Sequence, residues 1–171
     1  YSKKGRDAHN WDKHIAYALE CENNKVPTLQ AIRERKDHTI KKITKMVQAD
    51  AQKADPMGPK FREAYPVVIS CYCADSATDN REEFTKYLKN ISSLVQPGGL
   101  FIVACLRKTT YYKSENKYFP SANVTEDLLR TLLSIDFVKK TIRIQVRDLS
   151  YHKGQGYTSI ILAYATKNNK K

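Results

Sequence analysis

YPVVISCYCADSATDNREEFTKYLKNISSLVQPGGLFIVACLRKTTYY, residues 65–112, decides the fold. An apolar run, Val67-Val68-Ile69, leads into an acidic turn at Asp75. Behind it, Phe84, Tyr87, Leu88, Ile91, Leu94 and Val95 recur at helical spacing, which predicts a helix over 81–95 capped by Asp79 or Asn80. Gln96-Pro97-Gly98-Gly99 is expected to end that helix and turn the chain into a second apolar run, 100–104. A strand, a crossing helix and a second strand form the unit of a parallel α/β sheet. In such sheets, ligands bind beyond the carboxyl ends of the strands. Asp75 and the hydroxyl cluster Thr109, Thr110, Tyr111 and Tyr112 both follow such ends.

Working outward, residues 12–21 read as a short helix after Trp11, the single tryptophan, which is expected to pack. Thr28 is expected to cap an amphipathic surface helix over 29–45. Residues 46–51 are short enough to be a strand ending at Asp50, and 54–59 form a Pro- and Gly-rich turn. On the other side, 107–120 reads as a long polar loop, a length that is often functional in compact domains. A helix follows over 126–134, with Asn123 or Thr125 as its cap. Strands are expected over 137–146, kinked near Lys140, and over 157–166, paired as an antiparallel hairpin across the turn Lys153-Gly154-Gln155-Gly156. Residues 1–12 and 167–171 are expected to fray.

The bulk numbers exclude several classes. The 171 residues suit one ordinary domain, and 41% hydrophobic with 28% charged residues argues against disorder. No apolar stretch nears the roughly 20 residues of a membrane-spanning helix. Thirty basic residues against eighteen acidic ones give a net charge of +12. The lysines are dispersed without interleaved aromatics, so a solvated basic surface is expected and nucleic-acid binding is not. Cys71 and Cys73 fall on one strand face, but no CxxC pair or neighbouring histidine completes a metal set. Reduced, buried cysteines in a cytoplasmic protein are expected. His9, His14, His38 and His152 are scattered, and no catalytic triad is visible. His152 is expected at the surface.

Several segments together carry a family resemblance: Asn10-Trp11-Asp12, Cys21-Glu22, Ala49-Asp50-Ala51, Asp55-Pro56-Met57-Gly58-Pro59, residues 69–75, residues 94–99, and Lys108-Thr109-Thr110-Tyr111-Tyr112. The chain resembles, over nearly its whole length, the S-adenosylmethionine methyltransferases that act on nicotinamide, phenylethanolamine, indolethylamine and thioethers. The resemblance implies an α/β, Rossmann-like class I methyltransferase sheet with a carboxyl-terminal antiparallel hairpin. It implies S-adenosylmethionine as cofactor, a small-molecule acceptor with an amine or pyridine nitrogen, and a monomer.

By the same resemblance, Asp50 and Ala51 match the positions beside the adenine, and Cys71, Tyr72 and Cys73 lie at the strand end beside the cofactor's amino-acid part. Asp75, Cys105, Thr109, Tyr112 and Ser121 match the acceptor side. The family usually carries a carboxylate where this chain has Cys105. None of the glycines stands in a strand–GxG–helix context. The expectation is therefore a carboxyl-terminal two-thirds of one methyltransferase domain, lacking its first strands and glycine-rich loop. A catalytically inactive, partner-binding relic is the alternative, and a basic nucleic-acid-binding protein a further one.

Overall fold

The computed structural model describes residues 9–61, 64–149 and 154–169. His152 and Lys153 lie outside the described residues. The chain divides into two compact units, Tyr1–Val47 and Gln48–Lys171.

In the first unit, α1 (Asp12–Asn23) and α2 (Leu29–Lys42) bury Leu19 and Ile32. Asn24, in the left-handed conformation, ends α1, and the Thr28 hydroxyl accepts from Ala31 N–H at 3.2 Å to start α2. The Arg35 guanidinium grips both oxygens of Glu22, at 2.9 and 2.6 Å. Trp11 packs edge-on against His9 and at a tilt against His14, with centroids 4.6 and 5.4 Å away, yet stays 39% exposed.

The second unit is built on β1 (Tyr65–Cys71), α3 (Arg81–Ser93) and β2 (Val95–Leu106). Asn80 caps α3: its side-chain oxygen accepts from Glu82 and Glu83 N–H, at 2.8 and 3.0 Å. Both glutamates complement the helix dipole in the first turn. A hairpin of β3 (Tyr111–Ser114) and β4 (Lys117–Pro120) follows, then α4 (Glu126–Asp136), β5 (Arg143–Asp148) and β6 (Ser159–Thr166). The main sheet has the order β1-β2-β6-β5, with β1 parallel to β2 and β6 antiparallel to both neighbours. Among the described residues, no helix is long and apolar enough to cross a membrane.

One face of the sheet carries the core. Phe101, Val103 and Cys105 of β2 and Ile161, Ala163 and Ala165 of β6 share a cluster with Phe84, Leu88 and Ile91 of α3 and with Leu129 and Leu133 of α4. Each fully buried large side chain there contributes about 1.5–3 kcal/mol. The opposite face differs. Register aligns Ile69 with Ile102 and Tyr164, and Cys71 with Ala104 and Leu162. On this face Val67 remains 48% and Ile69 64% exposed. β1 is also the sheet's edge.

Five expectations are corrected. The strand expected over 46–51 does not form: among the described residues no strand pairs with it to supply the hydrogen bonds that a strand requires. Pro97-Gly98-Gly99 is not a boundary before β2 but an irregularity inside it, where pairing jumps from Tyr65–Val95 to Val67–Leu100. A Cβ on Gly99 would stand 2.9 Å from the Pro66 carbonyl oxygen, so this close backbone approach needs glycine. The long loop 107–120 contains the β3–β4 hairpin, in which Tyr112 faces Phe119 across the two strands. Finally, only Cys105 is buried; Cys21, Cys71 and Cys73 are exposed free thiols. The strand expected from 137 instead begins at Arg143, after a turn of 3-10 helix, Lys139–Thr141.

Candidate functional site

Beyond the carboxyl ends of β1 and β2, four segments meet. The first is the turn after β1. Tyr72 there adopts φ +53°, a conformation uncommon for a bulky residue, while its N–H donates to Ala104 O at 2.9 Å. The second is the end of β2, the third is 107–112, and the fourth is 121–124. Ser121 N–H donates to Thr110 O at 2.8 Å, Asn123 N–H to Thr109 O at 2.9 Å, and Lys108 N–H to Val124 O at 3.0 Å. These bonds bring Tyr72, Cys73, Asp75, Cys105, Thr109, Tyr112 and Ser121 into one region.

Asp75 is at the centre of the junction and only 1% exposed. Its Oδ2 accepts from Leu106 N–H at 2.8 Å, and its carbonyl accepts from Ala122 N–H at 2.9 Å. Its Oδ1 is buried and completes no hydrogen bond, as is the Ser121 Oγ. Burial pushes the Asp75 carboxyl up to about 6, restrained by the Leu106 amide and by the nearby Asp75 and Ser76 polar groups. Burial also raises Cys105 well above its ordinary range, and raises Cys73 and Tyr72. The chemistry of this region at neutral pH is therefore that of neutral thiols and phenols around one carboxyl.

Cys105 belongs to the core face of β2, beneath the junction. Thr109 is buried, with its Oγ1 2.6 Å from Tyr111 O and 2.8 Å from Gly156 O. One hydroxyl proton serves both carbonyls. Tyr112 is half-buried and stacks on Phe119 across the hairpin, centroids 5.2 Å apart. On the other side of the ribbon, Tyr111 meets Tyr118 edge-on at 5.6 Å.

Asp50 and Ala51 are not among the residues of this junction. They lie in a turn tied to the last turn of α3, where the Asn90 side-chain amide donates to Ala51 O at 2.9 Å. Asp50 Oδ1 accepts from Gln52 N–H at 3.0 Å. The Asp50 carboxylate, partly exposed, keeps lone pairs able to accept from an adenine amino group. The chemistry of Asp50, a carboxylate beside Lys53, is that of an acceptor for an amino group. Among the described residues no glycine loop joins a strand to a helix as a cradle. No group of three metal-ligating side chains occurs among the described residues.

Sequence reasoning missed Gly156 and the Leu106 and Ala122 amides. Gly156, at φ +88°, faces the Tyr111 ring so closely that a Cβ would come within 2.8 Å of it. Its place in a glycine turn was visible, but its partner 45 residues earlier was not.

Comparisons with known proteins agree with this architecture. The chain is 24% identical to human nicotinamide N-methyltransferase over 119 residues, covering 70% of the chain and 44% of that protein. It is 25% identical to rabbit indolethylamine N-methyltransferase over 136 residues, 79% of the chain and 50% of the relative. Against phenylethanolamine N-methyltransferase of Macaca mulatta, identity is 20% over 164 residues, 94% of the chain and 57% of the relative. The chain therefore spans about half the length of the curated relatives it matches. Among solved structures, an S-adenosylmethionine-dependent methyltransferase from Methanosarcina mazei superposes with a TM-score of 0.53 at 13% identity, covering 71% of this chain and 66% of that one. The fold is thus that of class I methyltransferases, with S-adenosylmethionine as the indicated cofactor. The model of the NNMT/PNMT/TEMT family matches residues 2–168, and the chain belongs to that family.

Proposed function

We propose that this chain forms the acceptor side of an S-adenosylmethionine-dependent methyltransferase acting on a small molecule through an amine or pyridine nitrogen. The observation that carries this reading is the junction beyond β1 and β2, where one half-buried aromatic, Tyr112, stands with a buried hydroxyl and neutral groups. Tyr112 forms the acceptor wall, with the buried Ser121, Thr109, Asp75 and Cys105 behind it. Tyr72, Cys71 and Cys73 stand at the cofactor's amino-acid end, and Asp50 with Ala51 at its adenine.

The cofactor, when bound, supplies an activated methyl group. The chain's residues then have to align a neutral nitrogen with it and exclude water. A lone pair on a neutral nitrogen needs no strong base, which matches a junction of thiols and phenols held in their protonated forms. The neutral Cys105 removes the fixed negative charge that the family usually places there, so an acceptor that binds as a cation is disfavoured. A cytoplasmic, monomeric protein is part of the same reading.

The test uses the natural protein that contains this chain. Calorimetry with S-adenosylhomocysteine and a labelled-methyl screen of amines, pyridines and thiols should show binding and transfer to a nitrogen. Tyr112→Ala should raise the acceptor KM about tenfold or more, the scale of a lost stacking contact in a packed site, with cofactor affinity nearly unchanged. Equal loss of both would refute the acceptor wall; absence of cofactor binding and transfer would refute the activity.

A further inference from the structure

Asp75 is tied to two other segments of the junction, to one by its carboxyl and to one by its backbone carbonyl, yet it presents almost no surface. Its Oδ2 holds the Leu106 amide at 2.8 Å, at the point where β2 ends and the chain departs toward Thr109 and Tyr112. Its carbonyl holds the Ala122 amide at 2.9 Å, one residue after Ser121. Three residues before it, Tyr72 sits in its left-handed conformation at the end of β1. A group 1% exposed cannot reach an acceptor molecule lying against Tyr112.

Building on the acceptor-site reading above, we propose that Asp75 is a positioning residue. Through its carboxyl on the Leu106 amide it fixes the end of β2, from which the chain runs on to Tyr112, against the turn that carries Tyr72, without itself touching the acceptor. The physical reason lies in satisfaction of the backbone. Leu106 N–H is buried and has the Asp75 carboxyl as its partner. The charge-assisted form of that bond is roughly twice as strong as a neutral one. The groups that face Asp75 from the packed elements are Tyr72 and Cys73 on its own turn and Cys105 on β2, each held in its neutral form by burial. No cation competes among those groups for the carboxyl, so its strongest claim is on the backbone. The Asp75 and Ser76 polar groups of its own turn also support the carboxyl, and the Leu106 amide is its partner from across the junction.

Amide hydrogen exchange on the full chain tests this. Asp75→Ala leaves the Leu106 N–H buried without an acceptor. It should lower protection at Leu106 about tenfold or more, on the scale of an unsatisfied buried donor, while Ala122, whose N–H bonds the backbone carbonyl that every variant at 75 keeps, should hold its protection. Ala163, in the middle of β6, should keep its protection. Asp75→Asn retains a carbonyl oxygen for Leu106 and should restore the protection.

A uniform fall that includes Ala163 would mark a general destabilisation and overturn the proposal. Unchanged protection at Leu106 in Asp75→Ala would overturn it too. If Asp75→Ala does not fold, Asp75→Val, which fills more of the space and offers Leu106 no acceptor, takes its place with the same expectations.

In the methyltransferase assay, Asp75→Ala should raise the acceptor KM, and Asp75→Asn should restore it. An Asn variant as impaired as Ala would show that the charge itself contacts the acceptor and would overturn the positioning role. If no methyl transfer is found for the wild type, the proposed activity falls, while the amide result still decides the role of Asp75.

Discussion

Asp75→Asn in the folded chain changes one atom and removes one titration, and its effect on stability has a worked sign. The carboxyl is raised from 3.8 to about 6 on folding. The folded state therefore binds this proton more tightly than the unfolded state. Its contribution to stability is fully present below pH 3.8 and is lost as pH rises through about 6. The difference of a little over two pH units is worth ~3 kcal/mol, as an order of magnitude. Above neutrality the wild type bears that full cost of an ionised, buried carboxylate. The asparagine does not, but it buries an amide N–H pair beside a site where Oδ1 had no partner, at a cost of roughly 1–2 kcal/mol.

The expected outcome is a crossing. At pH 7.5 Asp75→Asn is more stable than wild type by about 1–2 kcal/mol, and at pH 4 it is less stable by a similar amount. Urea unfolding of both proteins across pH 4–8, followed by circular dichroism, measures this directly. The other acidic residues cancel in the difference between the two curves. Parallel curves, with no change in the difference between pH 4 and pH 7.5, would refute the argument that burial dominates the Asp75 carboxyl.

Two further outcomes follow from the same geometry. Thr109→Val keeps the shape but leaves the Tyr111 and Gly156 carbonyls without their shared donor, and should cost about 1–2 kcal/mol in urea unfolding, while Thr109→Ser should cost well under half of that. Under native conditions a small thiol reagent should label Cys21, Cys71 and Cys73 quickly and Cys105 only at the rate of unfolding, which timed mass spectrometry resolves; rapid labelling of Cys105 would contradict its place in the core.

The elements with strong apolar period were legible in the sequence. The Phe84-Leu88-Ile91 stripe, the leucines of α4 and the alternation in β6 each declare a face, and that face is buried as the pattern requires. The caps were legible as one of two neighbours each, Asp79 or Asn80 and Asn123 or Thr125, because such side chains compete for nearby amides; Asn80 and Thr125 take the role. What failed was whatever depended on a distant partner. Residues 46–51 have the composition of a strand, but a strand exists only where a neighbour pairs with it. The Pro-Gly-Gly run has the composition of a helix stop, and its real work is to let β2 pass close to Pro66. Asp75 was readable as a residue at a strand end, because turn acids are common there. Its burial was not, since it depends on Leu106 and Ala122, 31 and 47 residues away. Thr109 was legible as a hydroxyl near the acceptor side, but Gly156, whose carbonyl it approaches, came from a segment with no pattern to tie the two.

The uncovered face and free edge of β1 have a consequence for how the protein behaves in a tube. An edge strand made of Tyr65-Pro66-Val67-Val68-Ile69-Ser70-Cys71 bears no charged residue along its length, so nothing on the strand itself wards off another extended chain. What does so is the +12 charge of the whole molecule, acting over a distance set by the ionic strength. The screening length shrinks from about 30 Å at 0.01 M salt to about 8 Å at 0.15 M. Colloidal stability in this chain is thus long-ranged and borrowed from the lysines, whereas the adhesive strip is short-ranged and local. Salt sets the balance between the two.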